Sequence, residues 1–169
     1  VAQPVVRSSA LAADMRVADN ASVSFTLTGN AILFGVAPPA IDSVPADSLT
    51  GKAVFDLWHY KDPTLQPSQK LSATRDRNRS FQAIYFPATK KLAQLVNDSI
   101  PSVDVSDDGR IALASSSVRY RIESMWGEGG DDLYLVDPAT GGARMIREKI
   151  SGQAQPAPDE RYVGFLDKG

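Results

Sequence analysis

Short apolar runs alternate with polar turns between residues 102 and 147, and this pattern defines the predicted architecture. Asp107-Asp108-Gly109-Arg110 separates the first two runs, and the last two are separated by a turn that ends in Gly141-Gly142. Such residues accept the positive φ angles that tight hairpin turns require. The pattern therefore predicts four short antiparallel strands in chain order, at 102–105, 111–114, 132–136 and 143–146.

The same pattern recurs along the chain, with an insertion in its first copy. Residues 106–114 align with residues 157–165 at a shift of 51, and the two Pro-Ala-Thr triplets of the chain share that shift. A third copy lies near the start, where Gly29 aligns with Gly109 at a shift of 80. A period near 50 residues with four strands per unit is typical of β-propellers. We therefore predict an all-β fold, a partial β-propeller of two to three four-stranded antiparallel blades.

The repeats divide the chain into four parts. We predict a strand and linker from a preceding blade, a blade with an inserted hairpin, a second blade and the start of a further blade, at residues 1–21, 22–100, 101–150 and 151–169. Because a blade buries both of its faces, two complete blades leave apolar faces open. Either the chain is a fragment of a larger propeller, or copies of it associate through the open faces.

Some segments outside the repeats also have a predicted structure. Residues 4–6 are predicted as the last strand of a preceding blade. Residues 52–60 have strand character, and residues 70–73 are predicted as the returning strand of the inserted hairpin. Helical periodicity is weak, and residues 8–18 and 71–79 are the two segments that fit a short helix.

Composition excludes several classes of function. The chain has 169 residues and a net charge of −2, which argues against a general nucleic-acid or anionic-membrane surface. It contains no run of 18 apolar residues, so no membrane-spanning helix is predicted. The absence of cysteine excludes disulfides and thiolate metal sites but leaves the compartment undetermined. The N-terminal residues lack an initiator Met and a signal-peptide pattern, and are expected to be a cut end inside a longer chain.

Several motifs resemble the N-terminal propeller of bacterial prolyl oligopeptidase-family serine peptidases. These are Asp-Leu-Trp-His-Tyr-Lys-Asp-Pro at 56–63, Val-Ser-Asp-Asp-Gly-Arg at 105–110, Asp-Leu-Tyr-Leu-Val-Asp at 132–137 and Pro-Asp-Glu-Arg-Tyr-Val at 158–163. In the last motif Glu160 stands where that family usually has Gly. The resemblance covers roughly residues 22–169, although TolB-type propellers share the turn motif.

The resemblance implies a two-part enzyme in which a propeller covers an α/β-hydrolase domain and filters or binds peptides. The nucleophile motif Gly-x-Ser-x-Gly is absent from this chain, so no catalytic residue is assigned. The expected function is a non-catalytic propeller segment whose partners are a peptide substrate or the missing hydrolase domain. No cofactor, nucleic acid or membrane is expected, and the family favours a periplasmic or secreted location. The alternative is a TolB-type module that binds a partner protein.

Two loops are candidate peptide- or partner-binding sites. Their residues are Trp58, His59 and Tyr60 in the first loop and Trp126, Glu128 and Asp131 in the second. If the first loop does not bind a ligand, its aromatic residues are expected to serve packing. If the second does not, it is expected to be a solvated connection between strands. His59 is the only histidine, and no serine-containing elbow is available for it as a base. The Asp pairs at 107–108 and 131–132 lack the spacing of a calcium loop, so no metal site is predicted.

Overall fold

The computed structural model describes residues 3–12, 14–40, 50–51 and 59–166. These residues form mostly strands with few helices, and every paired strand is antiparallel to its neighbours. The strands lie in three sheets that follow one another along the chain. This agrees with the all-β class predicted from the sequence.

The first sheet contains five strands. They are β1 (Arg16–Val17), β2 (Ser24–Phe25), β3 (Ile32–Ala37), β4 (Phe81–Phe86) and β5 (Lys91–Gln94). Both β1 and β2 pair with β3, and β4 lies between β3 and β5. The sheet therefore has four strand positions, of which the first is shared by the two short strands.

The second sheet is a four-stranded meander in chain order. Its strands are β6 (Ser102–Val105), β7 (Ala112–Ser116), β8 (Asp131–Val136) and β9 (Ala143–Ile150). The four strands predicted from the alternation of apolar runs and turns are confirmed. The third sheet is a hairpin of β10 (Ala154–Pro156) and β11 (Val163–Phe165).

The turns that follow β2, β6 and β10 have the same backbone in all three sheets. Gly29, Gly109 and Glu160 have φ angles of 72°, 77° and 60°. The backbone N–H of each donates to the carbonyl three residues earlier at 2.8–2.9 Å. The sequence repeat is therefore also a repeat of backbone geometry, and Glu160 adopts the left-handed conformation that its glycine counterparts adopt without strain.

Two apolar layers hold the three sheets together. The first lies between the first and second sheets and contains Ala31, Ile84, Leu95, Ala112, Ala114 and Val136. The second lies between the second and third sheets and contains Leu113, Leu133, Ile150, Ala154 and Val163. Each sheet thus uses alternate residues of its strands to pack on its neighbours, as the period-two geometry of β-strands requires.

The helices of the described residues are α1 (Gln66–Arg77) and α2 (Arg121–Ser124), with 3₁₀ turns at Ser8–Ala10 and Val118–Tyr120. The predicted returning strand at residues 70–73 is wrong, because these residues lie inside α1. Pro67 lies in the first turn of α1, where its missing N–H costs nothing, and basic residues occupy its last turn. None of the described helices is long and apolar enough to cross a membrane.

Other predicted elements have mixed outcomes. Residues 4–6 form no strand, and Val6 instead packs on the first sheet near Phe34 and Val36. The predicted strand at 52–60 lies mostly outside the described residues, and its last two residues lie in a turn. The predicted helix at 8–18 is limited to a single 3₁₀ turn followed by β1.

Candidate functional site

The first candidate loop is a tight turn that begins at His59. The Asp62 backbone N–H donates to the His59 carbonyl, and the His59 N–H donates to Asp62 Oδ2, both at 2.9 Å. His59 Nδ1 accepts the Lys61 N–H at 3.1 Å, so a neutral imidazole carries its proton on Nε2. The imidazole therefore serves the turn, and Trp58 lies outside the described residues.

Tyr60 gives this turn an exposed aromatic surface. Its ring is tilted against the His59 ring, with centroids 4.6 Å apart, and Lys61 Nζ lies 5.6 Å from its centroid. The Tyr60 side chain is 84% exposed. An aromatic ring exposed on a hydrogen-bonded turn can contact an apolar or cationic ligand group, because ring faces attract both.

The second candidate loop is an excursion between β7 and β8, residues 117–130. It contains the 3₁₀ turn Val118–Tyr120 and the short helix α2. Ile122, Met125 and Trp126 project from it, and Trp126 is 82% exposed. Glu128 is exposed and Asp131 is half-buried at the start of β8. The excursion therefore combines a large apolar surface with two carboxylates, as expected of a recognition loop on a rigid scaffold.

A buried carboxylate anchors this excursion to the second sheet. Asp132 is fully buried, and Tyr120 Oη donates to its Oδ1 at 2.6 Å. Arg119 Nη1 donates to Asp132 Oδ2 at 3.0 Å and to Glu148 Oε1 at 3.0 Å. The Lys149 backbone N–H also donates to Asp132 Oδ1, at 3.2 Å. Donors from the excursion and from β9 thus converge on one carboxylate of β8.

The electrostatics of this cluster follow from its hydrogen bonds. Burial raises the pKa of Asp132, but the bonds from Tyr120, Lys149 and Arg119 outweigh burial and lower that pKa below its ordinary value. The bond to Asp132 is the main cause that raises the pKa of Tyr120 to about 12. The bonds to Glu148 and Asp132 raise the pKa of Arg119 further. The cluster is therefore an ionised, hydrogen-bonded anchor at neutral pH.

The strand β9 adapts to this anchor by a bulge. The pairing between β8 and β9 shifts between Asp131 and Leu133, and Lys149 opposite has a φ of 49°. This left-handed conformation is uncommon for a residue other than glycine. It directs the Lys149 N–H to Asp132, and Lys149 Nζ binds Glu123 Oε2 at 2.5 Å. The bulge thereby ties α2 to the sheet as well.

Two equivalent clefts open between successive sheets. Ser22, Ser24, Leu33 and Gly35 line the cleft between the first and second sheets, and their counterparts Ser102, Asp104, Leu113 and Ser115 line the cleft between the second and third. Each has a volume of about 320 Å³. Because both follow the repeat, they are a consequence of how the sheets splay apart. Neither cleft includes a residue of the first candidate loop, and Asp131 alone of the second candidate loop lines one of them.

The two candidate loops remain separate in the described parts of the chain. No hydrogen bond, ion pair or ring contact there joins His59 or Tyr60 to Trp126, Glu128 or Asp131. Within the same residues, no group of three or more His, Asp or Glu side chains is placed to hold a metal ion. Asp108, from one of the two Asp pairs, accepts from Ser106 and Arg110 in its own turn.

The Asp132 cluster is the feature that motif analysis missed. The residue belongs to the motif at 132–137, and Tyr134 and Val136 lie on the same face of β8 toward the core. The period-two alternation of a strand therefore places the Asp132 side chain on the inward face. An inward carboxylate needs hydrogen-bond donors, and this requirement is the signal from which the anchor could have been predicted.

Comparison of the chain with models of known protein families and with curated proteins gave no significant match.

Proposed function

We propose that the three sheets are consecutive blades of a β-propeller, of which the third is present here as its first two strands. The observation that carries this proposal is the repeated geometry of the turns at Gly29, Gly109 and Glu160, together with packing of each sheet on the next. A propeller arises when such sheets repeat radially until they close. Cryo-electron microscopy or crystallography of the protein in its natural length would test for closure.

We further propose that this segment has the role of the propeller in a prolyl oligopeptidase-like peptidase, which is to recognise peptide without hydrolysing it. The surface that supports this role is the anchored excursion with Trp126 at its tip and Glu128 and Asp131 beside it. An apolar ring next to carboxylates suits a peptide with an apolar side chain close to its cationic N-terminus. The turn at His59 and Tyr60 offers a second aromatic contact.

Peptide binding is tested by fluorescence anisotropy with labelled, proline-containing peptides, free or acetylated at the N-terminus. We expect Trp126→Ala to weaken binding by about tenfold or more, because an aromatic anchor of an interface typically contributes that much. Leu71→Ala is the matched control, since Leu71 is an exposed apolar residue on α1, outside both candidate loops. Equal binding by wild type and Trp126→Ala would contradict the proposal.

The parent enzyme class has a separate test. The reading frame beyond Gly169 either contains a Gly-x-Ser-x-Gly segment, which supports a peptidase, or further repeats alone. The second outcome supports a TolB-type module that binds a partner protein, which is favoured by the turn motif that both classes share. In either case we expect no peptide hydrolysis by residues 1–169, and turnover blocked by a serine-directed reagent would contradict this.

A further inference from the structure

The second sheet has one face that packs on the first sheet and one that packs on the third. In the second sheet, Val103, Val105 and Ala112 pack toward the first sheet. Leu113 and Leu133 pack on the opposite side, toward the third sheet. The strand registers place these residues on alternating sides, as period-two geometry requires.

The third sheet repeats this arrangement at the shift of 51 residues. Ala154 is the counterpart of Val103, and Val163 is the counterpart of Ala112. Both pack against the second sheet, next to Leu113 and Leu133. Successive sheets are therefore docked in the same way. We call the face of a sheet that points toward the preceding sheet its backward face, and the opposite face its forward face. The backward face of each later sheet packs on the forward face of the sheet before it.

The backward face of the first sheet is open at its first strand. Val23 and Phe25 are the counterparts of Val103 and Val105 at the shift of 80, yet each is 67% exposed, and Leu27 is 81% exposed. Residues of the N-terminal segment, among them Val6, pack on the same face against β3 and β4. Among the described residues, the exposed part of this face therefore includes Val23, Phe25 and Leu27, three alternating apolar residues in and beside β2, here called the β2 stripe.

The forward face of the third sheet is open as well. Tyr162 is the counterpart of Ile111 and of Ala31, and Ala31 is buried where the first sheet meets the second. On the third sheet, Tyr162 is 73% exposed and Leu166 on the same face is 71% exposed. The described residues therefore expose apolar side chains on the backward face of the first sheet and on the forward face of the third.

We propose that these two faces bind each other between copies, so that the third sheet of one copy docks on the β2 stripe of a second copy. The argument is continuity, because the contact would repeat the docking that already joins the three sheets within the chain. The widths of the two surfaces also agree. The third sheet has two strands, and the exposed part of the first sheet is narrow because the N-terminal segment covers its neighbouring part. Two different patches meet, so the contact is heterologous and produces open chains or closed rings of copies.

Sedimentation velocity over a range of concentrations tests this proposal. We expect the weight-average sedimentation coefficient of residues 1–169 to rise with concentration. Phe25→Ser and Leu166→Ser are each expected to weaken association by at least about tenfold, because each removes a large apolar contact. Leu71→Ser is the matched control and is expected to associate as wild type does. All three substituted residues are exposed, and circular dichroism verifies that the variants are folded.

Mixing the two variants distinguishes a heterologous contact from a symmetric one. The Phe25→Ser copy keeps its third sheet, and the Leu166→Ser copy keeps its β2 stripe. We expect the two variants to form a dimer when mixed in equal amounts, at concentrations where each variant alone stays monomeric. A wild-type chain that stays monomeric at high concentration overturns the proposal, and so does a mixture that stays monomeric. The first result would point to a hydrolase domain or further sheets of a longer chain as the occupant of these faces.

Discussion

At the scale of single residues, Gly109 is constrained both by its backbone and by its neighbours. Its φ is 77°, and a Cβ atom there would lie 3.2 Å from Thr26 Cγ2 and 3.5 Å from Ala31 Cβ. Gly29 has a similar φ of 72°, but a Cβ atom on it would meet nothing within 4 Å. The two glycines therefore separate the cost of the left-handed conformation from the cost of close packing between sheets.

We predict that Gly109→Ala lowers the free energy of unfolding more than Gly29→Ala does. The left-handed conformation costs an alanine about 1 kcal/mol at either position. At Gly109 the new methyl group must also displace Thr26, which adds about 1 kcal/mol or more. Urea unfolding of both variants measures the difference, and equal losses of stability would show that the first two sheets do not meet closely at this turn.

The sequence was informative at this scale, because glycine and aspartate mark turns by their own backbone chemistry. The sequence showed that Glu160 stands where glycine is usual, and the structure gives this residue a glycine-like φ of 60°. The Asp132 anchor was not predicted. Its donors come from Tyr120, Arg119 and Lys149, which are up to 17 positions away and which no local motif connects.

At the scale of elements, the excursion between β7 and β8 depends on the hydrogen bonds to Asp132. We predict that Tyr120→Phe lowers the free energy of unfolding by about 1–2 kcal/mol, because a buried carboxylate loses one of its donors. The same variant is expected to loosen α2 and thereby to change the emission spectrum of Trp126. Urea unfolding and the emission spectrum of Trp126, recorded with Trp58→Phe as background, measure both effects.

The control for this variant is Tyr60→Phe. Tyr60 is exposed, so the loss of its hydroxyl is expected to leave the stability unchanged within about 0.5 kcal/mol. If both variants behaved alike, the hydroxyl of Tyr120 would not be a structural donor. If Tyr120→Phe lost stability without any change in Trp126 emission, the hydrogen bond from Tyr120 to Asp132 would stabilise the sheet alone and not the excursion.

The pH dependence of stability provides a second test of this element. Because the folded state lowers the pKa of Asp132, its ionised form stabilises the fold above the unfolded pKa of about 3.9. This contribution is lost as the pH falls through the lower, folded value. We predict that Asp132→Asn is less stable than wild type at pH 7 and that the difference narrows toward pH 2. Thermal unfolding across this range measures it, and a constant difference would argue against a charged Asp132.

Helix α1 shows why one predicted element was wrong. Its residues Gln66–Arg77 have no buried member, and Leu71 on it is fully accessible at the surface. A helix without an apolar face lacks the period of 3.6 residues on which prediction depends. The apolar pair formed by Leu71 and Ala73 was therefore interpreted as part of a strand, although residues 71–79 were also identified as a segment that fits a short helix, and α1 agrees with the second interpretation. The position of Pro67 at the helix start was the local signal that favoured a helix.

At the scale of the whole molecule, the repeat determined most of what the sequence could predict. The repeated turns predicted two to three sheets and the order of strands in the second sheet, because each hairpin is specified locally. The pairing of β1 with β3 was not predicted, since two residues are too short to produce a recognisable alternation. The sequence also gave no spatial relation between the loops at His59 and Trp126, because they belong to different sheets or insertions.

Because the sheets stack in a row, each one depends mainly on its nearest neighbours, and stability should therefore be local. Leu133 lies between the second and third sheets, and Ile84 lies between the first and second. We predict that Leu133→Ala and Ile84→Ala each lower the free energy of unfolding by about 2–5 kcal/mol, since both side chains are fully buried.

Hydrogen exchange should show which sheets lose stability in each variant. Leu133→Ala should accelerate exchange at Val163–Phe165 more than at Phe81–Phe86, because Leu133 belongs to the apolar layer that packs on the third sheet. Ile84→Ala should give the opposite ranking. Equal acceleration of all three sheets by both variants would mean that the chain unfolds as one cooperative unit, and that its sheets are coupled by more than the two apolar layers between them.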